Sequence, residues 1–276
     1  MITSLHSPHV ERVKALLGSK GKKFRKSEGL FISDGYQAIK SALSPAYVAA
    51  PQIEKIYATE SGLAKLQSEI DSADFEKFDL FIVSEEVMSS MTEAETSQGV
   101  LTLCTRSPYT FQKLRAEALA SRKLRVAYFW QMQDPGNAGT VIRSADAFGC
   151  DAVIFSPDSV DIYSPKTVRA TVGSLWNLPV IEDVDLDDLR ALAQTCEIPT
   201  YAFDSLGEGS LLELPSPSDN FVTIFGNEAR GLPEFPPKDG HVEVQMVKIP
   251  MLGSTESLNV ASAATIALFH LSIGRL

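Results

Sequence analysis

From residue 124 onward, short apolar runs alternate with stretches of helical periodicity, and the joints between them are only a few residues long. No other feature constrains the fold as tightly. Runs at 126–130, 152–155, 179–182, 199–203, 221–225 and 243–249 read as strands. Helices are predicted from about 138 to 148, from Ser164-Pro165 through Trp176, near 186–195, and from about 258 to 271. Ser164 followed by Pro165 has the chemistry of a helix start, a capping hydroxyl and then a residue that needs no backbone donor. Strand–helix alternation with short joints implies an α/β fold, a mainly parallel sheet with helices on both faces.

The first hundred residues repeat the alternation on a smaller scale. Val10, Val13, Leu16 and Leu17 recur at helical spacing, 29–33 reads as a strand, and 34–43 as a helix. Further strands are expected at 53–58, 80–83 and 100–104, a compact sheet covered by helices. Ser107-Pro108 then opens a polar, amphipathic stretch ending at Ser121-Arg122-Lys123. The expected division is a domain at 1–106, a linker at 107–122 and a domain at 123–276.

With 25 Lys+Arg against 35 Asp+Glu, the formal net charge is −10. That excess is uneven. From Glu11 to Lys26 there are seven bases and one acid, so this segment is +6 and the rest of the chain −16. We read 18–27 as a basic loop, either solvated or docked on a polyanion; local field decides this, more than the total. Cys104, Cys150 and Cys196 form no C-x-x-C pair and no Cys/His cluster, so neither a disulfide framework nor a metal site is expected. No apolar stretch reaches the roughly 18 residues of a spanning helix, and the N-terminus lacks an apolar leader core. A cytoplasmic protein with no membrane partner is expected.

Ligands of a parallel α/β sheet sit beyond the carboxyl ends of its strands, and three loops there are unusual. They are 134–149 (DPGNAGTVIRSADAFG), 226–232 (GNEARGL) and 249–259 (IPMLGSTESLN). Each has an ordinary reading. Asn137 can be a helix cap, Gly149 a helix stop, Arg143 a surface cation, Glu228 a first-turn carboxylate, and Ser257 and Asn259 the start of the last helix. Three such loops in order, each after a strand, ask for a common explanation.

The patterns N-x-G-x-x-x-R-x-A-x-A-F-G (137–149), G-N-E-x-x-G-L (226–232) and I-P-M-x-G-x-x-x-S-L-N-V (249–260) resemble the three motifs of the SpoU/TrmH family, RNA ribose 2′-O-methyltransferases of the SPOUT class. Residues 7–31, from S-P-x-V to E-G-L-F, are similar to the small α/β substrate-binding domain often fused to that family. The resemblance implies a SPOUT α/β domain with a deep trefoil knot behind a small RNA-binding domain, and S-adenosylmethionine as cofactor. On the matching positions it implies cofactor binding by Phe203, Gly226, Asn227, Ile249, Met251 and Leu258. It implies catalysis by Asn137, Arg143, Glu228, Ser257 and Asn259. RNA contacts are expected from Lys22, Lys23, Arg25, Lys26 and Arg169, and a homodimer through the C-terminal domain. Large-subunit ribosomal RNA is expected ahead of transfer RNA, because the separate domain with a basic loop resembles rRNA-directed members.

The residue chemistry agrees with this. Methyl transfer from a sulfonium to a hydroxyl needs alignment and removal of one proton. The sequence has no G-x-G-x-x-G or G-K-[ST] phosphate cradle, in keeping with a ligand that carries no phosphate. Arginine, with a pKa above about 12, is a poor base. We therefore read Arg143 as an electrostatic anchor, with Glu228, Ser257 and Asn259 orienting it and the ribose. A non-catalytic RNA-binding dimer on the same fold would be expected to have lost some of Asn137, Arg143, Glu228 and Asn259. A nicotinamide-dependent oxidoreductase would need the missing dinucleotide fingerprint.

Overall fold

The structure is a computed structural model that describes every residue except 19, 72–73, 75–76, 95, 217, 236–242 and 274–276. Its contacts divide the chain into two compact units, Met1–Pro108 with Asp161–Asn177, and Tyr109–Val160 with Leu178–Leu276.

In the first unit, strands β1 (Leu30–Asp34), β2 (Ile53–Ala58), β3 (Asp79–Ile82) and β4 (Val100–Thr105) form a sheet of order β1-β4-β2-β3. β4 runs antiparallel to both neighbours, and β2 and β3 are parallel. Alternation along β1 sorts its residues to two faces. Leu30 and Ile32 join Val10, Val13 and Leu16 of helix Pro8–Leu17 in one core. Phe31, between them, instead meets Tyr163 at 4.9 Å and Trp176 at 6.1 Å between ring centroids. The Ala46 amide donates to the Trp176 carbonyl at 3.0 Å. These contacts explain why 161–177, a stretch the sequence reading left inside 123–276, groups with the first unit.

Two local expectations change here. Most of the segment expected as a basic loop is helical, with residue 19 outside the described residues: Gly21–Glu28 is a helix, closed by Gly29 in the left-handed region at φ 68. The helix opened by Ser164 and Pro165 ends at Thr171, where Val172 turns to φ 51, and a single 3-10 turn (Ser174–Trp176) follows.

The second unit holds β5 (Arg125–Phe129), β6 (Ala152–Phe155), β7 (Val180–Ile181), β8 (Thr200–Phe203), β9 (Gly209–Ser210), β10 (Phe221–Phe225) and β11 (Val244–Lys248). All seven are parallel, in the order β7-β6-β5-β10-β8-β11-β9. Every residue of β5, β6, β8 and β10 is buried, as required of strands covered on both faces. The stretch read as a linker contains helix Phe111–Ser121, whose Leu114 and Ala118 are buried; the Ala118 carbonyl accepts from Cys196 Sγ at 3.7 Å. Helices Pro135–Ala147 and Val260–Ser272 pack side by side, joined by Ser144 and Thr265 hydroxyls 2.7 Å apart.

Burial pushes the Cys104 and Cys150 thiols up to about 12, so neither supplies a thiolate at neutral pH. Among the described residues no helix is long and apolar enough to cross a membrane, and no group of three or more His, Cys, Asp or Glu could hold a metal ion.

Candidate active site

Register alone builds the floor of the site. Phe155, Phe129, Phe225 and Phe203 occupy matching positions at the ends of the adjacent strands β6, β5, β10 and β8. In-register parallel pairing aligns their side chains, and the rings stack in a row at centroid spacings of 5.6, 5.2 and 5.0 Å. Phe225 and Phe203 then face a cavity of about 410 Å³ beyond the strand ends, in the size range of small-ligand sites.

Three loops close the cavity. After β10, the chain turns back on itself so tightly that Asn227 and Gly231 exchange backbone hydrogen bonds of 2.8 and 2.9 Å. A Cβ on Gly226 would lie 2.4 Å from the Gly231 carbonyl, so only glycine fits. Asn227 locks the turn. Its Oδ1 accepts from the Ala229 and Arg230 amides at 2.9 and 3.0 Å, and its Nδ2 donates to the Gln131 carbonyl at 2.6 Å. After β11, Ile249 and Met251 line a second wall, and Ser257, Leu258 and Asn259 lead into the last helix. After β8, Asp204 and Ser205 form the third.

The six residues expected to bind cofactor, Phe203, Gly226, Asn227, Ile249, Met251 and Leu258, all line this cavity. Of those expected to be catalytic, Glu228, Ser257 and Asn259 line it as well, and Asn137 joins two of them. Asn137 is not the helix cap. Asp134 takes that place, accepting from the Asn137 amide at 2.8 Å with Pro135 next in line. The Asn137 side chain is thereby left for the site: Nδ2 donates to Glu228 Oε1 at 3.1 Å, and Oδ1 accepts from Asn259 Nδ2 at 3.1 Å.

Arg143 stands apart from this chain. It is exposed on helix Pro135–Ala147 and makes no hydrogen bond or ion pair among the described residues, so Glu228, Ser257 and Asn259 do not orient it here. Arg169 belongs to the first unit, in a small crevice with Asp34 and Thr92. Of the basic run, Lys22, Lys23 and Lys26 are exposed. Arg25 is buried. Its guanidinium pairs with Asp161 at 2.7 Å and donates to the Leu16 carbonyl, which withdraws it from any phosphate contact.

Asp204 and Ser205 were not picked out from the sequence. They obey the strand-end rule at β8 but belong to no recognisable motif. With Glu228, Asp204 makes the described ionisable lining of the cavity wholly acidic. Apolar walls, a glycine cradle and two carboxylates suit a nucleoside-sized ligand bearing positive charge.

The comparisons with known proteins agree with this geometry. Residues 124–269 match the SpoU rRNA Methylase family, and residues 10–102 match the MRM3-like substrate binding domain. The chain is 30% identical over 270 residues to the 23S rRNA (guanosine(2553)-2'-O)-methyltransferase RlmP of Bacillus subtilis, spanning 97% of this chain and 98% of that protein. It is 36% identical over 142 residues to the 23S rRNA (uridine(2479)-2'-O)-methyltransferase of Streptomyces viridochromogenes, 49% of this chain and 48% of that one. The solved structure of an AdoMet-bound rRNA methyltransferase from Sinorhizobium meliloti superposes with a TM-score of 0.77 at 26% identity, covering 98% of this chain and 96% of that one. By sequence, fold and site, the chain belongs to the SpoU rRNA methylase family.

Proposed function

We propose that this protein transfers a methyl group from S-adenosylmethionine to a ribose 2′-hydroxyl of 23S ribosomal RNA. One observation carries the reading: the cavity at the strand ends has the Glu228–Asn137–Asn259 hydrogen-bond chain on its rim. The name of the Bacillus subtilis relative, which matches 97% of this chain, supplies the RNA and the ribose oxygen methylated. When bound, the cofactor supplies a methyl group on a positively charged sulfur.

The chain's own residues do the rest. Phe203, Phe225, Ile249 and Leu258 offer apolar surface to an adenine, and the tight turn at Gly226 lets backbone approach it closely. The acidic lining favours a cation. Asn137, Glu228, Ser257 and Asn259 hold the ribose in line with the methyl carbon, a gain in orientation worth more than any single contact. Arg143 acts as an anchor for RNA phosphate; its exposure and lack of a partner suit a group that waits for a ligand.

The same reading assigns substrate recognition to the unit containing Met1–Pro108 and methyl transfer to the unit of Tyr109–Val160 and Leu178–Leu276. Strand order supports a knotted C-terminus, since β10 lies between β5 and β8, and β11 between β8 and β9, strands that all precede them in the chain. A homodimer through the C-terminal domain is supported by the last helix. Ile266 and Phe269, a turn apart on it, and Ile273 just past its end are 40%, 44% and 41% exposed. A cytoplasmic location is supported by the bacterial 23S rRNA substrate named for the Bacillus subtilis relative.

Calorimetry with S-adenosylmethionine, followed by transfer of a labelled methyl group to deproteinised 23S rRNA, tests the reading. One labelled nucleotide resistant to alkaline cleavage at its 3′ side is expected. Label on a base, with cleavage intact, would overturn it.

A further inference from the structure

The helix Gly21–Glu28 is held in one rotational setting by two residues a turn apart. A Cβ on Gly21 would lie 2.4 Å from the Leu16 carbonyl, so the helix can come this close only with glycine there. Four residues on, Arg25 is 6% exposed, with Nε donating to Asp161 at 2.8 Å and the guanidinium also bound to the Leu16 carbonyl. Positions 21 and 25 share a face. Lys22, Lys23, Phe24 and Lys26 are therefore turned outward, and all four are exposed.

Phe24 is the unusual member. It is 40% exposed, and Phe269 is the only other Phe, Tyr or Trp among the described residues with comparable exposure. Phe269 lies on an apolar helix, where an oligomer contact accounts for it. Phe24 has lysines at 20, 22, 23 and 26 instead, and the one acid of its helix, Glu28, is paired with Arg12 at 3.2 Å. An apolar protein surface would have to desolvate those ammonium groups to reach the ring. An unpaired nucleotide presents a flat base to the ring and phosphates to the lysines.

We propose that Phe24 is a stacking platform for one unpaired base of the RNA, with Lys20, Lys22, Lys23 and Lys26 following the backbone on either side. The proposal rests on the RNA substrate argued above and adds a requirement for single-stranded character at the site bound by the first unit. Because every base has a π-face, the contact selects unpaired over paired RNA and leaves sequence choice to other contacts.

The full-length protein is titrated with a short single-stranded RNA carrying 2-aminopurine and with the same strand in a duplex. Wild type is compared with Phe24→Ala, Phe24→Leu and Phe24→Trp. Alanine and leucine are expected to weaken single-strand binding by roughly 5- to 150-fold, and tryptophan to restore it, as one lost base stack predicts. Wild type should quench 2-aminopurine, duplex affinity should be equal in all four proteins, and the salt slope should not move. Cofactor calorimetry and circular dichroism confirm that each variant is folded. Single-strand affinity unchanged in Phe24→Ala, or restored by leucine, would overturn the stacking role while leaving the RNA reading intact. Failure of wild type to bind either RNA would instead overturn the reading on which the proposal rests.

Discussion

Asn259 fixes the hydrogen-bonding direction of Asn137. The Asn259 Oδ1 caps the last helix, accepting from the Ala261 and Ser262 amides at 2.9 and 3.3 Å, so its Nδ2 must face the other way. That nitrogen donates to Asn137 Oδ1, which turns the Asn137 Nδ2 onto Glu228. A helix cap thus sets the polarity of the whole chain and requires a carboxyl oxygen of Glu228 to accept.

Asn259→Asp separates the two jobs of this residue. Aspartate caps as well as asparagine but has no Nδ2. The melting temperature should stay close to wild type, while kcat falls roughly tenfold or more with the donor lost. Differential scanning calorimetry beside single-turnover methylation reads both. Equal losses in stability and turnover would mean that the link to Asn137 carries nothing beyond the cap.

Gly226→Ala should abolish cofactor binding with little loss of secondary structure. The new methyl would overlap the Gly231 carbonyl and force open the turn held by Asn227. Calorimetry with S-adenosylmethionine at wild-type affinity would show that this turn is not a cofactor wall.

Much of this was legible in the residues. Strand-end loops carry site residues in a parallel sheet, so the three motif loops could be placed before any coordinates, and all six expected cofactor residues line the cavity. What stayed hidden depends on long-range packing. Nothing near Arg25 in sequence reveals that Asp161, 136 residues on, neutralises it. The same partnership helps draw 161–177 to the first unit, which periodicity had counted with the second. The helical state of 21–28 was obscured by its lysines, because charge density resembles a solvated loop when the buried stripe is only Gly21 and Arg25. Asp134 was passed over as a cap because Asn137 is as good a capping residue three positions later.

Arg25→Ala should act on stability. Asp161 would be left with its side chain 11% exposed and no counter-ion, a loss of about 3–5 kcal/mol for a broken buried pair. Lys22→Ala with Lys23→Ala should do the reverse, leaving the melting temperature in place and flattening the salt dependence of RNA binding by about 0.7 log units per lost contact. Chemical denaturation and RNA titration at several salt concentrations distinguish the two. An Arg25 variant with unchanged stability and a reduced salt slope would return this residue to the RNA surface.

Asp34 gives the first unit a pH dependence of opposite sign to that of most carboxylates. Burial raises its pKa above the ordinary value, opposed by the Thr92 hydroxyl and the Arg169 charge. A raised carboxyl contributes stability below its unfolded pKa and loses it as pH rises through the folded one. Asp34→Asn keeps the shape and removes the titration. The melting temperature of the variant minus that of wild type should therefore increase between acid and neutral pH. A constant or shrinking difference would contradict this.

Arg143 is expected to be indispensable for methylation of one ribose in 23S rRNA. Mass spectrometry of rRNA from cells with the gene, without it, and complemented with Arg143→Ala tests it most directly. A single 2′-O-methyl nucleotide in 23S rRNA should disappear on deletion and not return with Arg143→Ala, although the purified variant should bind cofactor within several-fold of wild type. An rRNA methylation map identical in all three strains would contradict it.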